Sequence, residues 1–384
     1  MVAMGFTQVE GVDYNETFAS VMITKSFRTL LALWNLDPSL KMEHWDIKQA
    51  FVNAPLDETI FVHPVSGFSK MEGLVLKLKK ALYGTKQAAH AWQKFLKKIL
   101  ISMGGVPHLK DECVFIFRDA KTNGWLFLST HVDDLFPLYN PAGKPLRDKI
   151  LAALGKEVTV EERGDLSWAL STKIERDPVR GILKISQEED VNSLLRDHGW
   201  EQLGEEDTPA SDKPEDARIL ESDLPTTESA KAEAAKFPFR QVIGKLWWLA
   251  LISRPDIVFT VHRCACWQNK PSAKLQQWVV RIVKYLKKTK TLGIVFDRRN
   301  FNPEQIMTAV CDASFMGEEK SMSRYGVLFF LGGCLILGLF ENIPDRLVIA
   351  WANSPGKRKH LGKGISQSFG IFSGIRPDSS LPRQ

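Results

Sequence analysis

Cysteine is scarce and irregularly placed in this sequence. Cys113, Cys264, Cys266, Cys311 and Cys334 are the only five in 384 residues. An odd count without regular spacing excludes a secreted disulfide scaffold. Long apolar runs are lacking as well. The longest uncharged apolar stretch, Val327 to Phe340 (VLFFLGGCLILGLF), is shorter than the roughly 20 residues of a spanning helix. It reads as buried strands or a core element. The opening MVAMGFTQVEG lacks the basic-then-apolar pattern of a secretory signal, and no internal repeat is present. The expectation is an intracellular protein, in a cytoplasmic particle or the nucleus, with no membrane partner. What is present is ordinary for a globular chain: 44% hydrophobic and 25% charged residues, at a length that suggests two or three domains. The net charge of +6 is compatible with a polyanionic partner without requiring one.

Periodicity places the elements. Helical spacing marks 26–36, 144–154, 187–198, 240–253 and 272–289, and most strongly 87–100, where Trp92, Phe95, Leu96 and Ile99 share one face. Residues 42–52 (MEHWDIKQAFV) read as a strand leading into a turn or short helix, and strand patterns occur at 60–63, 74–78, 113–117, 125–132, 292–297 and 307–331. A hairpin is expected over 166–186, turning at DPVRG (177–181). Residues 204–236 are rich in Glu, Asp, Pro, Ser, Thr and Ala and read as a linker or surface wrap.

Three carboxylates stand out by context. Asp46 lies in HWDIKQAF, and Asp133 and Asp134 end the apolar LFLSTHVDDLF. Adjacent carboxylates at the end of an apolar strand repel each other and are costly to bury unless a cation neutralises them. Magnesium prefers such oxygens and keeps positions open for phosphate, so the three could form a nucleotidyl-transfer centre. The competing reading is a turn with solvated carboxylates. Successive strand side chains point to opposite faces, so Asp133 and Asp134 serve one site only if the chain turns there.

Read in order, long blocks of the chain resemble copia-type retrotransposon reverse transcriptases. The blocks are GFTQVEGVDYNETFASV (5–21), WDIKQAFVNAPLDETIFVHPVSGF (45–68), LKKALYGTKQAAHAW (78–92), HVDD (131–134) and GDLSWALSTKIERD (164–177). Further on come ISQEED (185–190), FRQVIGKLWWLALISRPDIVFTVHRCACWQNKPS (239–272), VKYLKKTKTLGIVF (283–296) and VCDASFMG (310–317). The resemblance implies an α+β fold: a reverse-transcriptase palm and thumb with truncated fingers over 1–203, a linker at 204–236, a connection region at 237–300, and an incomplete RNase H-like α/β fragment at 301–384. It implies an RNA-directed DNA polymerase with Asp46, Asp133 and Asp134 as ligands of Mg2+ or Mn2+. Primer-template and deoxynucleoside triphosphates would be its substrates, with other parts of a Pol polyprotein as partners. Phe51 would lie beneath the incoming sugar, where its ring would clash with a 2′-hydroxyl. Tyr83, Gly84, Gln87 and His131 would line the template and nucleotide. Without the resemblance Phe51 is a core aromatic, and Tyr83 belongs to a helix-entry turn.

The departures from that pattern carry their own expectations. The basic segment that normally precedes the GFTQ block is missing, which bears on triphosphate binding. His131 replaces a tyrosine, and Ser171 and Thr172 stand where Leu-Gly is usual. Asp312 fits the first carboxylate of an RNase H site. The basic run KRKHLGKG (357–364) is followed by a tail without glutamate, so no RNase H activity is expected. The alternative function is a degenerate, non-catalytic remnant that retains nucleic-acid binding.

Two further clusters remain. His262, Cys264 and Cys266 lie one residue apart on a predicted helix, which puts neighbours on diverging faces. No fourth zinc ligand is evident, and buried small side chains are the plainer reading. Lys284, Lys287 and Lys288 share a face of the basic helix. They read either as a phosphate-tracking stripe or as a solvated face.

Overall fold

The computed structural model describes residues 2–64, 74–212, 219–314 and 323–343. Of these, 2–27 and 39–166 form one unit, and 28–38 and 167–343 form a second. Both mix helices with antiparallel strands.

Helix α1 (Thr24–Leu36) begins in the first unit and runs into the second. The first unit continues with β1 (Lys41–Ile47), a short helix α2 (Ala50–Asn53), β2 (Phe61–Val62), β3 (Leu76–Lys77) and α3 (Ala88–Ser102). Then come β4 (Val106–His108), β5 (Asp111–Asp119), β6 (Gly124–His131), β7 (Asp134–Tyr139), α4 (Lys144–Glu157) and β8 (Val160–Asp165). Six strands form one antiparallel sheet in the order β4-β5-β6-β7-β1-β8, and β2 and β3 make a separate ladder. The 74–78 strand expectation shrinks to Leu76–Lys77.

Alternation along β1 assigns its two faces. Trp45 and Ile47 enter a core with Trp92, Leu96 and Leu100 of α3 and Ile150 and Leu154 of α4. Each such side chain contributes about 1.5–3 kcal/mol by leaving water. His44 and Asp46 therefore take the other face. The spacing of Ala88, Trp92, Leu96 and Leu100, all buried, is the helical stripe that fastens α3 beneath the sheet. The edge strand β8 is mostly exposed and charged, which discourages pairing with another chain.

The second unit contains β9 (Trp168–Ala169), β10 (Thr172–Asp177), β11 (Ile182–Ser186), α5 (Glu188–Asp197), α6 (Glu228–Ala235) and α7 (Phe239–Ile252). It goes on through α8 (Val258–Ala265), α9 (Ala273–Lys288), β12 (Gly293–Asp297), β13 (Met307–Ser314), β14 (Ser323–Leu331) and β15 (Cys334–Ile343). One sheet runs β12-β11-β10-β9 and another β13-β14-β15. The sheet that starts at residue 168 is thus completed by residues 293–297. Helices α5, α7, α8 and α9 share a core built around Leu194, Leu246, Val261, Leu275 and Ile282. The apolar run over Val327–Phe340 is the β14–β15 hairpin, turned by Gly332 and Gly333 at φ 56° and 76°, a geometry that favours glycine at both positions.

Within 204–236 the described residues are not all exposed. Helix α6 forms there, and Ile219 and Ala234 are buried. Arg28 of α1 is buried in the second unit and donates to the carbonyls of Leu251 and Ile252 at the end of α7, where a cation is favoured by the helix dipole. Its burial pushes the guanidinium down to about 10.

Candidate functional site

The chain does turn between Asp133 and its neighbours. His131 and Asp134 are opposed across the β6–β7 hairpin, which leaves Val132 and Asp133 as the turn. Val132 had been expected to extend the strand. It has φ 56° instead, a conformation that a β-branched residue adopts only under tertiary constraint. Two constraints are visible. Trp92 Nε1 donates to the Val132 carbonyl at 2.6 Å, and the Ile47 amide donates to the Asp133 carbonyl at 2.9 Å.

Register brings the carboxylates together. Asp46 of β1 is the direct partner of Asp134 on β7 and of Glu161 on β8. Burial raises the Asp133 carboxyl above its ordinary value, and the charges of Asp134 and Asp46 add to this, against its own backbone amide and His131. The three aspartates thus feel one another electrostatically. Asp46 and Asp134 each have another side chain as partner. Asp134 Oδ1 accepts from His44 Nε2 at 2.6 Å, and the His44 ring lies 5.3 Å from that of Phe136. Asp46 Oδ2 lies 3.2 Å from Lys48 Nζ and 3.4 Å from an Arg163 nitrogen. Both cations also pair with Glu161. Hydrogen bonds to Glu161 and Asp46 raise the Lys48 ammonium above its ordinary value.

The carboxylates are hard oxygen donors of the kind magnesium and manganese take. Among the described residues, however, no three His, Cys, Asp or Glu side chains are gathered as a metal-holding group. Asp46 and Asp134 are engaged instead by Lys48, Arg163 and His44.

Beneath the sheet a second network holds β1. Glu43 accepts from Tyr139 Oη at 2.5 Å, from Trp45 Nε1 at 2.9 Å and from Arg147 Nε of α4 at 2.9 Å. Burial opposes ionisation of Glu43, yet the bonds from Arg147, Tyr139 and Trp45 outweigh it and hold the carboxyl below its ordinary value. Arg147 also pairs with Glu162 and stacks 5.1 Å from the Trp45 ring.

The other expected residues fall into two groups. Phe51 and Tyr83 meet, with ring centroids 4.8 Å apart. Gly84 has φ 91°, and a Cβ there would sit 2.1 Å from the Ala3 carbonyl oxygen. Gln87 is buried, and its amide donates to the Asp13 carbonyl at 2.9 Å and accepts from Gln8 Nε2 at 3.1 Å. Tyr83, Gly84 and Gln87 therefore seat the 2–14 segment. The Ala3 amide donating to the Tyr83 carbonyl at 2.7 Å belongs to the same contact. Burial lowers the His131 imidazole below its ordinary value, against the pull of Asp134 and Asp133, and its Nδ1 has no partner among the described residues.

In the second unit, Asp312 is exposed on β13 opposite Gly326. The basic run and the tail after it lie outside the described residues. On α8, Cys264 is buried and Cys266 exposed, as diverging faces require. Lys287 donates to the Leu203 carbonyl at 2.7 Å and Lys288 pairs with Asp207. The stripe expected from helical spacing is thus partly covered by the wrap.

Sequence reasoning singled out the three aspartates and did not single out the residues that contact them or hold β1: His44, Lys48, Arg163, Glu43 and Arg147. Alternation around HWD could have flagged His44 and Lys48 as sharing Asp46's face. Arg147 carries no local signal.

Comparison with known proteins gives four results. The family described as reverse transcriptase (RNA-dependent DNA polymerase) matches residues 1–211. The retrovirus-related Pol polyprotein from transposon TNT 1-94 of Nicotiana tabacum is 28% identical over 340 residues, 87% of this chain and 25% of that protein. The corresponding polyprotein from transposon RE1 of Arabidopsis thaliana is 28% identical over 335 residues, 86% of this chain and 22% of that protein. The chain thus spans about a quarter of these relatives. A transposon Ty5-1 protein of Saccharomyces cerevisiae is 24% identical over 272 residues, 70% of this chain and 82% of that protein.

Proposed function

This chain belongs to the reverse transcriptase (RNA-dependent DNA polymerase) family, and from that premise we propose that it extends a DNA primer on an RNA or DNA template. The observation that carries the reading is the register pairing Asp46 with Asp134, with Asp133 on the adjoining turn. Asp46, Asp133 and Asp134 would hold the divalent ion, Mg2+ or Mn2+. When bound, it would activate the primer hydroxyl and neutralise charge on the leaving pyrophosphate.

The chain's own residues divide the remaining work. His44 fixes the orientation of the Asp134 carboxylate, as partners behind ligands commonly do. Lys48 and Arg163 balance the charge of Asp46 and Glu161 before substrate arrives. Phe51, backed by Tyr83, sits under the incoming sugar and excludes a 2′-hydroxyl. Gly84 and Gln87 keep the N-terminal segment against that wall. Residues 1–203 would supply the palm and thumb, 237–300 the connection and 301–384 an RNase H-like fragment without RNase H activity. Other parts of a Pol polyprotein are its proposed partners.

One observation favours a second reading, a non-catalytic remnant that still binds nucleic acid: the carboxylates are engaged by His44, Lys48 and Arg163 rather than gathered. Magnesium-dependent deoxynucleotide incorporation on a primed RNA template, beside Asp133→Asn, separates the two. Incorporation that the substitution abolishes, with folding intact, is the expected result. No incorporation by the parent chain, with primer-template still bound, establishes the remnant.

A further inference from the structure

Helix α9 carries Lys274, Arg281, Lys284, Lys287 and Lys288 and no carboxylate, whereas residues 204–236 contain ten carboxylates and four cations. The described parts of that acidic segment lie along the helix. Arg281 pairs with Glu206 at 3.2 Å and donates to Thr208 Oγ1 at 3.0 Å. Lys288 pairs with Asp207, and Lys274 with Asp223 at 3.0 Å. Lys284 has no ion-pair partner among the described residues. With Arg281, Glu206 and Trp278 it lines an open cavity of about 510 Å³, room enough for a phosphodiester group.

The two ends of the segment are held differently. Ile219 and Ala234 are buried, and the Lys274–Asp223 pair is largely sheltered, at 19% and 22% exposed. Around residue 207 the ion pairs are more open: Lys288 and Asp207 are 45% and 83% exposed, and Arg281 and Glu206 27% and 31%. Exposed pairs contribute little and are screened by salt. An anchored acidic strap with a loosely held arm, lying over a helix face with no negative charge of its own, is suited to exchange with a polyanion.

We propose that residues 205–212 are a displaceable anionic cover over a face of α9 that binds the sugar-phosphate backbone of nucleic acid, with Arg281, Lys284 and Lys288 as its contacts. The choice of nucleic acid as partner rests on the polymerase reading. The cover keeps the face closed to weak polyanions and yields to a duplex, whose closely spaced phosphates release counterions on binding.

The test is fluorescence anisotropy of the full chain with a labelled RNA–DNA hybrid, in EDTA so that no divalent ion contributes. The variant Glu205→Gln/Glu206→Gln/Asp207→Asn is expected to bind about tenfold tighter at low salt, with a log–log salt slope steeper by about 2, as two more phosphates are neutralised. Adding Arg281→Ala, Lys284→Ala and Lys288→Ala should remove the gain. A charge-matched control, Glu201→Gln/Glu228→Gln/Glu233→Gln, should leave affinity within about twofold of the parent, because Glu228 and Glu233 pair with Lys231 and Lys236 rather than with the cations of α9. Equal affinity of the cover variant and the parent, at unchanged thermal melting, overturns the proposal. So does an equal gain in the control, or a gain that survives loss of the three cations. Displacement of the cover by polyglutamate but not by the hybrid would also overturn it, and would assign the face to an acidic protein. Incorporation assays report separately on the polymerase reading, so either conclusion can fail alone.

Discussion

Phe51 and Tyr83 share a ring contact at 4.8 Å, and the discrimination assigned to Phe51 is a matter of one side chain's volume. Phe51→Ala should lower the preference for deoxy- over ribonucleotides by about 10–100-fold, the range of about 1–3 kcal/mol that a single pocket contact supplies. Single-nucleotide incorporation with both sugars measures it, and an unchanged ratio would return Phe51 to the role of a core aromatic. Gly84 makes a conformational prediction. Its φ of 91° and the 2.1 Å approach of Ala3 O to any Cβ mean that Gly84→Ala should cost about 2–3 kcal/mol. The N-terminal segment should also become easier to cleave in limited proteolysis. Gly155, within α4 with nothing near its Cβ position, gives the contrast: Gly155→Ala should stabilise by about 0.5–1 kcal/mol. The sequence showed both Phe51 and Gly84 as residues of interest. It could not show that Gly84 and Gln87 are occupied by the 2–14 segment, because those contacts depend on where a distant stretch of chain comes to rest.

Strand β1 is held from below by charge and exposes charge above, and the two faces differ in legibility. Period-two alternation in MEHWDI marks the strand and buries Trp45 and Ile47. The same pattern puts Glu43 on the buried face with them, yet nothing local says what would partner a carboxylate there. Its partner Arg147 is 104 positions away, so only the folded chain reveals a sheltered pair. The pH dependence follows from the depressed Glu43 carboxyl. Its contribution to stability is fully present above the ordinary glutamate value near ~4.3 and is lost as pH falls through the depressed folded value. Glu43→Gln should therefore flatten the acid limb of a urea-stability profile below about pH 4. Glu43→Ala should cost about 1–3 kcal/mol at neutral pH, since Tyr139 and Trp45 lose their acceptor and Arg147 keeps only Glu162 and Asp148. An acid limb of the same steepness in the parent and Glu43→Gln would sink this account. The same limit on local reading applies to α9. Helical spacing placed its lysines on one face, and nothing in that spacing could announce that an acidic stretch lies over them.

Across the whole molecule, all five cysteines are free thiols, and their environments predict a simple labelling pattern. Burial pushes Cys113 and Cys334 up to about 11 and Cys264 to about 12, while Cys266 and Cys311 are exposed. A thiol reagent near pH 8 should modify two residues quickly and three only after unfolding, with melting unaffected by reductant. A third fast thiol would show that one of the buried sites opens in the native state. The secondary structure was largely legible in periodicity, while its assembly was not, because strands that pair need not be near in sequence. Strand β11 hydrogen-bonds β10 on one side and β12 on the other. During synthesis it leaves the ribosome roughly 100 residues ahead of β12, a delay on the order of 5–20 s at ordinary elongation rates. Through that interval one flank of a β-branched, apolar strand carries unpaired amides and carbonyls. A nascent or prematurely terminated chain is then open to strand exchange with its neighbours on the same message. A strand that is internal in the finished sheet is thus an edge while the chain is being made.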